Sequence, residues 1–425
     1  MKNAAAENEI LIWGAGGISL GQLSPGFIRS GITPVVILKK RDKLLEKKIE
    51  KELSKHYYFI VDKDKRIHKT ASPIIIKQEN INDVLSHCIT SCVWITAIGA
   101  KNVLSLVQIF SEAIELKSCT SQKVQLILCE NTPYKVNLAA MLRQGILQNM
   151  EEKKVKDYFT NNVMISEAVN YWAIPGEDFK PELHINIQWE AGPVLIDADA
   201  IYLADPLKSA IENKVFIPVK NFQLHKKLKV GLQLHAYEAI NYLGALWGCT
   251  EMKEALANRD VINIVNSSLR EIVDCLKEEN RNDGAFIDEC YRSVMLMLQE
   301  MQGNDMITRN CRDPFRKLDP GERMLYPSFL VAKHNRDLNP ISKIVASVLY
   351  YNDCLNLYHQ NNLKDPIYST LFTYAKKSEL EGYSETGQII LAIRKEAPVL
   401  AELVEANYKY IVNRKRSDYG ISNIW

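Results

Sequence analysis

The stretch "ILIWGAGGISLGQLSPG", residues 10–26, decides how this chain folds. Ile10 to Trp13 form an apolar run short enough for a buried strand, and it empties into Gly14, Gly16 and Gly17. Such a turn, followed by a helix, is where a dinucleotide's pyrophosphate sits. Gly14 permits the tight bend, and Gly16 lets a phosphate reach the backbone and the positive end of the helix. Gly17 and Ile18 complete the turn. Where a third glycine is usual the chain has Ser19, whose small side chain still suits close helix–strand packing. Pro25 is harder to place. A proline inside a helix removes a hydrogen bond and costs roughly 3 kcal/mol. The helix is therefore expected either to kink at Ser24-Pro25-Gly26 or to end early and restart.

Outward from this turn, "TPVVILKK" (33–40), "CVWITAIG" (92–99) and "VQLILCEN" (124–131) read as further buried strands. Between the last two, "KNVLSLVQIFSEAIELK" (101–117) has helical spacing of its apolar residues. Alternation of this kind predicts a parallel sheet covered by helices. Thr96 and Gly99, at the end of the third strand, are expected at the cofactor's edge. At the end of the second strand an acidic residue usually accepts the ribose hydroxyls of NAD. Here Lys39, Lys40 and Arg41 stand there, and a carboxylate arrives only at Asp42. Cations suit a 2′-phosphate, so NADP is expected, with NAD possible. The alternative is a solvated charge run.

From about residue 205 the pattern turns helical. "TEMKEALANRDVINIVNSSLREIVDCLKEEN" (250–280) reads as one long amphipathic helix, and "QIILAIRKEAPVLAELVEANYKYIV" (388–412) is helical as well. The expected fold is an α/β Rossmann-type domain over residues 1–200, followed by a mainly α-helical C-terminal domain over 201–425.

A chain of 425 residues suits two domains. Its 47 % hydrophobic and 24 % charged residues are ordinary for a globular protein. Net charge is +2 with the basic residues spread along the chain, which argues against nucleic acid as a partner. No apolar run reaches 18 residues, so no membrane span is expected, and "MKNAAAENE" lacks the features of a secretory signal. Nine cysteines include one close pair, Cys88 and Cys92, without metal-site spacing. A reduced, cytoplasmic protein without a metal is expected.

Several segments together resemble the polyol-specific long-chain dehydrogenases, the family of the mannitol dehydrogenases. They are "WGAGGISLG" (13–21), "TAIGAKNVL" (96–104), "LILCENTP" (126–133), "YLGALWGCTEMKEAL" (242–256) and "DPFRKLDPGERM" (313–324). These run in the family's order over most of residues 10 to 350. The resemblance implies hydride transfer between a nicotinamide and a sugar alcohol, a ketose or its phosphate, or a related carbonyl compound. It also leans towards a monomer with a small, anionic or polyhydroxylated substrate.

The family carries a catalytic lysine with an asparagine five residues on and a histidine eight residues on. The lysine removes the hydroxyl proton as hydride leaves, so it must be partly neutral at working pH. Anchoring "KKLKVGLQLHAYEAINYLG" (226–244) on Tyr242-Leu243-Gly244 puts Lys229 at that lysine, Leu234 at the asparagine and Tyr237 at the histidine. Anchoring on His235-Ala236 selects Lys227, Leu232 and His235 but needs two extra residues before Tyr242. Two residues turn a helix by about 200°, so the ungapped register is preferred. Asn170 stands where the family has an aspartate, and Tyr171 where it has an arginine. Asn131 matches the substrate-orienting asparagine. Arg309 and Lys317 match a basic pair, and with Arg312 and Arg316 they suggest a cationic cluster for an anionic group. The altered helix leaves a second reading open: a catalytically degenerate relative acting as a cofactor-binding or regulatory protein.

Overall fold

The computed structural model describes residues 8–38, 49–62, 64–120, 122–171, 176–178, 183–187, 192–300, 305–358 and 385–419. The chain divides into two compact units, Met1–Thr132 with Asn137–His225, and Pro133–Val136 with Lys226–Trp425.

The first unit is built on an eight-stranded sheet. Its strands are β1 (Glu9–Trp13), β2 (Thr33–Leu38), β5 (Ile74–Lys77), β6 (Val93–Thr96), β7 (Val124–Leu128), β8 (Val163–Val169), β11 (Val194–Asp197) and β12 (Phe216–Val219), in the order β12-β11-β8-β7-β6-β1-β2-β5. Strands β5 to β8 in that order pair in parallel through β2, β1, β6 and β7, whereas β11 runs antiparallel to β8. The four strands expected from sequence are β1, β2, β6 and β7. From β1 the chain builds first to one side and then, with β6, to the other. That reversal is the switch point where α/β sheets open a crevice at their strand ends.

Both faces of this sheet are covered, which is why β1 reads as a continuous apolar run. Ile10 and Ile12 join Leu20, Leu23, Phe27 and Phe216 in one core. On the other face Trp13 meets Phe110, ring centroids 4.9 Å apart. A smaller sheet, β4-β3-β10-β9, was not expected; it joins β3 (Tyr57–Val61), β4 (Ile67–Ala71), β9 (Gly176–Asp178) and β10 (His184–Asn186). Its β3–β4 hairpin turns on Asp62, whose carboxylate accepts the amides of Asp64 and Arg66.

The second unit is helical. α1 (Phe222–Leu228) runs on through a π-helical turn, Lys229–Leu234, into α2 (His235–Leu246). The expected single helix over 250–280 is two. Met252–Ala257 stops at Asn258, whose side chain accepts the amides of Asp260 and Val261 and starts α3 (Arg259–Glu279). α3 buries Val261, Val265, Leu269, Ile272 and Leu276. The C-terminal helical segment also divides, because Pro398 opens a new helix, α4 (Pro398–Tyr419), after Ala397. No helix among the described residues is long and apolar enough to cross a membrane.

Candidate functional site

From Ile10 to Phe27 every residue is buried except Gly16, Gly17 and Ile18. The surface at the tip of β1 is therefore backbone, which is what a pyrophosphate needs. Gly14 has φ +109°, and a Cβ there would lie 2.5 Å from the Ala97 carbonyl oxygen. Only glycine fits. The neighbouring segment is fastened as tightly. The Ala97 amide donates to the Trp13 carbonyl at 2.8 Å, and the Ile98 and Gly99 amides donate to the Glu130 carboxylate at 3.0 and 2.8 Å. Thr96, fully buried, and Gly99, at φ +86°, thus sit beside the glycine turn across the switch point. These residues fit a dinucleotide.

The proline break is resolved by a change of winding. Ile18–Leu23 is π-helical and Ser24–Arg29 is α-helical, with Pro25 in the first α turn. The Ser24 amide reaches back to the Ser19 carbonyl, five residues earlier. The next bond in that series would run from residue 25 to Leu20, and proline has no donor. The buried Tyr58 hydroxyl donates to the Leu20 carbonyl instead, at 2.5 Å. Lys39, Lys40 and Arg41 lie outside the described residues.

Asn131 is exposed directly after Glu130, and Asn170, buried, follows β8. Glu167 on β8 caps the helix Leu138–Asn149 by accepting the Leu138 amide at 2.6 Å. Glu130 and Glu167 were not singled out from sequence. Their partners are 32 and 29 residues away along the chain.

In the second unit Lys229 is buried at the start of the π turn. In a pure α-helix, positions eight apart differ by about 80°. A π turn advances less per residue, so this winding brings Lys229 and Tyr237 closer to one face. The Tyr237 hydroxyl donates to the Asp305 carboxylate, and Arg309 binds the same carboxylate at 2.9 Å. Tyr237 and Arg309 are thus joined through a buried acid that sequence reasoning missed. His235 points elsewhere. Its Nδ1 lies 2.8 Å from the Arg323 carbonyl and its Nε2 3.0 Å from the Ser268 hydroxyl. Nδ1 must donate to the carbonyl, so Nε2 accepts from the hydroxyl.

In the cationic cluster expected at Arg309, Arg312, Arg316 and Lys317, carboxylates accompany Arg309, Arg316 and Lys317. Lys317 is buried, with Nζ 2.7 Å from the Glu238 carboxylate, which also accepts from Arg323 at 3.1 Å. Arg323 continues to Glu322 at 3.0 Å, and Arg316 reaches Glu322 at 3.4 Å. Burial pulls the Lys317 ammonium below its ordinary value, while Glu238 opposes that shift. Isolated cations would be too costly here, so buried carboxylates accompany them. Among the described residues no group of three His, Cys, Asp or Glu side chains is placed to hold a metal ion.

No family model matches the chain. Among curated proteins it is similar to the mannitol-1-phosphate 5-dehydrogenase of Clostridium acetobutylicum, 24 % identical over 60 % of this chain and 65 % of that protein. The Shouchella clausii enzyme of the same name is 21 % identical over 80 % of this chain and 87 % of its own length. The clostridial match thus spans just under two thirds of that relative. In sequence, then, the chain is similar to mannitol-1-phosphate 5-dehydrogenases. In fold it is similar to mannitol 2-dehydrogenase of Pseudomonas fluorescens, solved with NAD and D-mannitol. That match has TM-score 0.69 at 12 % identity, covering 98 % of this chain and 93 % of that one. A D-sorbitol dehydrogenase follows at TM-score 0.63 and 12 % identity, covering 93 % and 94 %.

His235 has a structural place. Both its ring nitrogens are engaged inside the second unit, and burial pushes its pKa from 6.5 down to about 4. A histidine held neutral adds stability above its unfolded pKa, and that stability is lost as pH falls towards the folded value. Urea unfolding is therefore expected to weaken between pH 6.5 and about 4 by of order 3 kcal/mol. His235→Leu should flatten that part of the profile. An unchanged slope would place the loss at other groups.

Proposed function

We propose that the chain is an NAD(P)-dependent oxidoreductase interconverting a sugar alcohol and its ketose. The observation that carries this reading is the tip of β1, where Gly16, Gly17 and Ile18 alone are accessible and Gly14 admits no side chain. The similarity to mannitol-1-phosphate 5-dehydrogenases supports it. Gly14, Gly16, Gly17, Ile18, Thr96 and Gly99 hold the nucleotide, and Lys39, Lys40 and Arg41 favour a 2′-phosphate, hence NADP. When bound, the nicotinamide accepts or supplies hydride at the substrate carbon.

Lys229 takes the hydroxyl proton during oxidation and returns it during reduction. The Tyr237 hydroxyl is committed as a donor to Asp305, so its oxygen is suited to accept from a substrate hydroxyl. Asn131 and Asn170 supply neutral hydrogen-bonding groups that orient the substrate oxygens. Arg309, with 37 % of its side chain exposed, is a cation able to meet substrate, while Lys317 is held by Glu238 and Arg316 by Glu322. Arg309, Lys317 and Arg316 each already have a carboxylate partner, Asp305, Glu238 and Glu322, so we read the substrate as a polyol or ketose held by hydrogen bonds, with the uncharged form preferred. The chain works as a monomer in the cytoplasm.

A steady-state comparison tests this: reduction of D-fructose and of D-fructose 6-phosphate with NADPH and NADH. Turnover of the uncharged ketose at higher kcat/KM is expected. A strict requirement for the phosphate would overturn the uncharged-substrate reading. Tight nucleotide binding without turnover of any ketose, polyol or phosphate would favour the binding-protein reading suggested by Leu234.

A further inference from the structure

A cavity of about 830 Å³ opens in the second unit on the Lys227 side of the helix. Lys227 and Lys229 are two residues apart, so their side chains leave the helix about 200° apart. The cavity therefore belongs to a different helix face from Lys229. One part of its lining is aromatic: the Tyr134 and Tyr326 rings lie 3.9 Å apart, centroid to centroid. Another is apolar, with Leu330, Leu338 and Leu400. Its volume falls in the range of small-molecule pockets, about 300–1,000 Å³.

The charges are unevenly matched. The Glu279 carboxylate serves two ammonium groups at once, Lys227 at 3.2 Å and Lys333 at 2.7 Å. Two cations share one anion, and Lys135 adds a further positive charge to the lining. Arg336 is balanced by Glu278, and Glu396 is exposed at the rim. The Tyr326 hydroxyl, in a side chain only 4 % exposed, has no hydrogen-bond partner among the described residues. Buried polar groups in native proteins are nearly always satisfied, so this hydroxyl calls for a partner. Burial first, and Tyr134 second, hold its phenol well above the ordinary range, so it remains a donor.

We infer that this cavity is a second binding site, separate from the Lys229 face, for a small aromatic organic anion. The ring of such a ligand packs against Tyr134 and the leucines, its anionic group is drawn by the excess charge of Lys227 and Lys333, and Tyr326 donates to one of its oxygens. The site is independent of whether the chain turns over a polyol.

Fluorescence titration of the full chain with 1-anilinonaphthalene-8-sulfonate tests this, beside the uncharged N-phenyl-1-naphthylamine. One saturable site for the sulfonate is expected, undisplaced by saturating NADPH, with the uncharged probe binding at least tenfold more weakly. Tyr326→Phe, which preserves shape, should weaken the sulfonate about fivefold, and Lys227→Met with Lys333→Met about tenfold or more. Equal affinity for the two probes would overturn the proposal. So would wild-type affinity in both variants, or displacement by the nucleotide.

Discussion

Lys229→Met is expected to lower kcat/KM for polyol oxidation by about 10²–10⁴-fold, the range over which a positioned general base acts. Nucleotide affinity should stay within about twofold, because the residues assigned to the cofactor belong to the other unit. Methionine keeps the length and burial of the side chain while removing the proton acceptor. The expectation depends on the register in which Lys229 and Tyr237 share a function. That register is supported by the contact that joins Tyr237 to Arg309 through Asp305, and by His235 being fastened to Arg323 and Ser268. Should Lys229→Met retain turnover while Lys227→Ala abolishes it, the proton-transfer role passes to Lys227.

Glu238→Ala is expected to destabilise the protein by about 3–5 kcal/mol, the cost of leaving buried cations uncompensated. Its carboxylate serves Lys317 at 2.7 Å and Arg323 at 3.1 Å, and all three residues are buried. Urea denaturation reads the loss as a lower midpoint. Adding Lys317→Met to Glu238→Ala should recover part of it, since one of the stranded charges is then gone. A single-variant cost under about 1 kcal/mol would mean that the buried network contributes far less than its geometry implies.

The glycine turn was legible because its chemistry is local: a strand, a bend and a helix start lie within ten residues, and Gly14 fills its role through its own φ. Pro25 was legible as a disturbance. The remedy was not, since Tyr58, which replaces the missing donor, comes from the second sheet. The same distance in sequence hid the acids. Arg309, Arg316 and Lys317 look like an open basic cluster when read along the chain, but Glu238 is 79 residues from Lys317, and Asp305 is 68 from Tyr237. Nothing in local spacing says which carboxylate will face which cation. The π winding at Lys229–Leu234 escaped for a related reason: apolar periodicity reports which face is buried, and does not register one extra residue absorbed within a turn. The break at Asn258 was in principle readable, as an asparagine placed to cap Arg259–Glu279.

The central claim, that this chain holds a nicotinamide dinucleotide at the tip of β1, is tested most directly by titrating its fluorescence with NADPH and NADH. The wild-type chain and Gly14→Val should be measured side by side. Saturable binding by the wild type, tighter for NADPH, and its loss in a Gly14→Val variant that still melts cooperatively is the predicted result. A folded wild-type chain that binds neither nucleotide would contradict it.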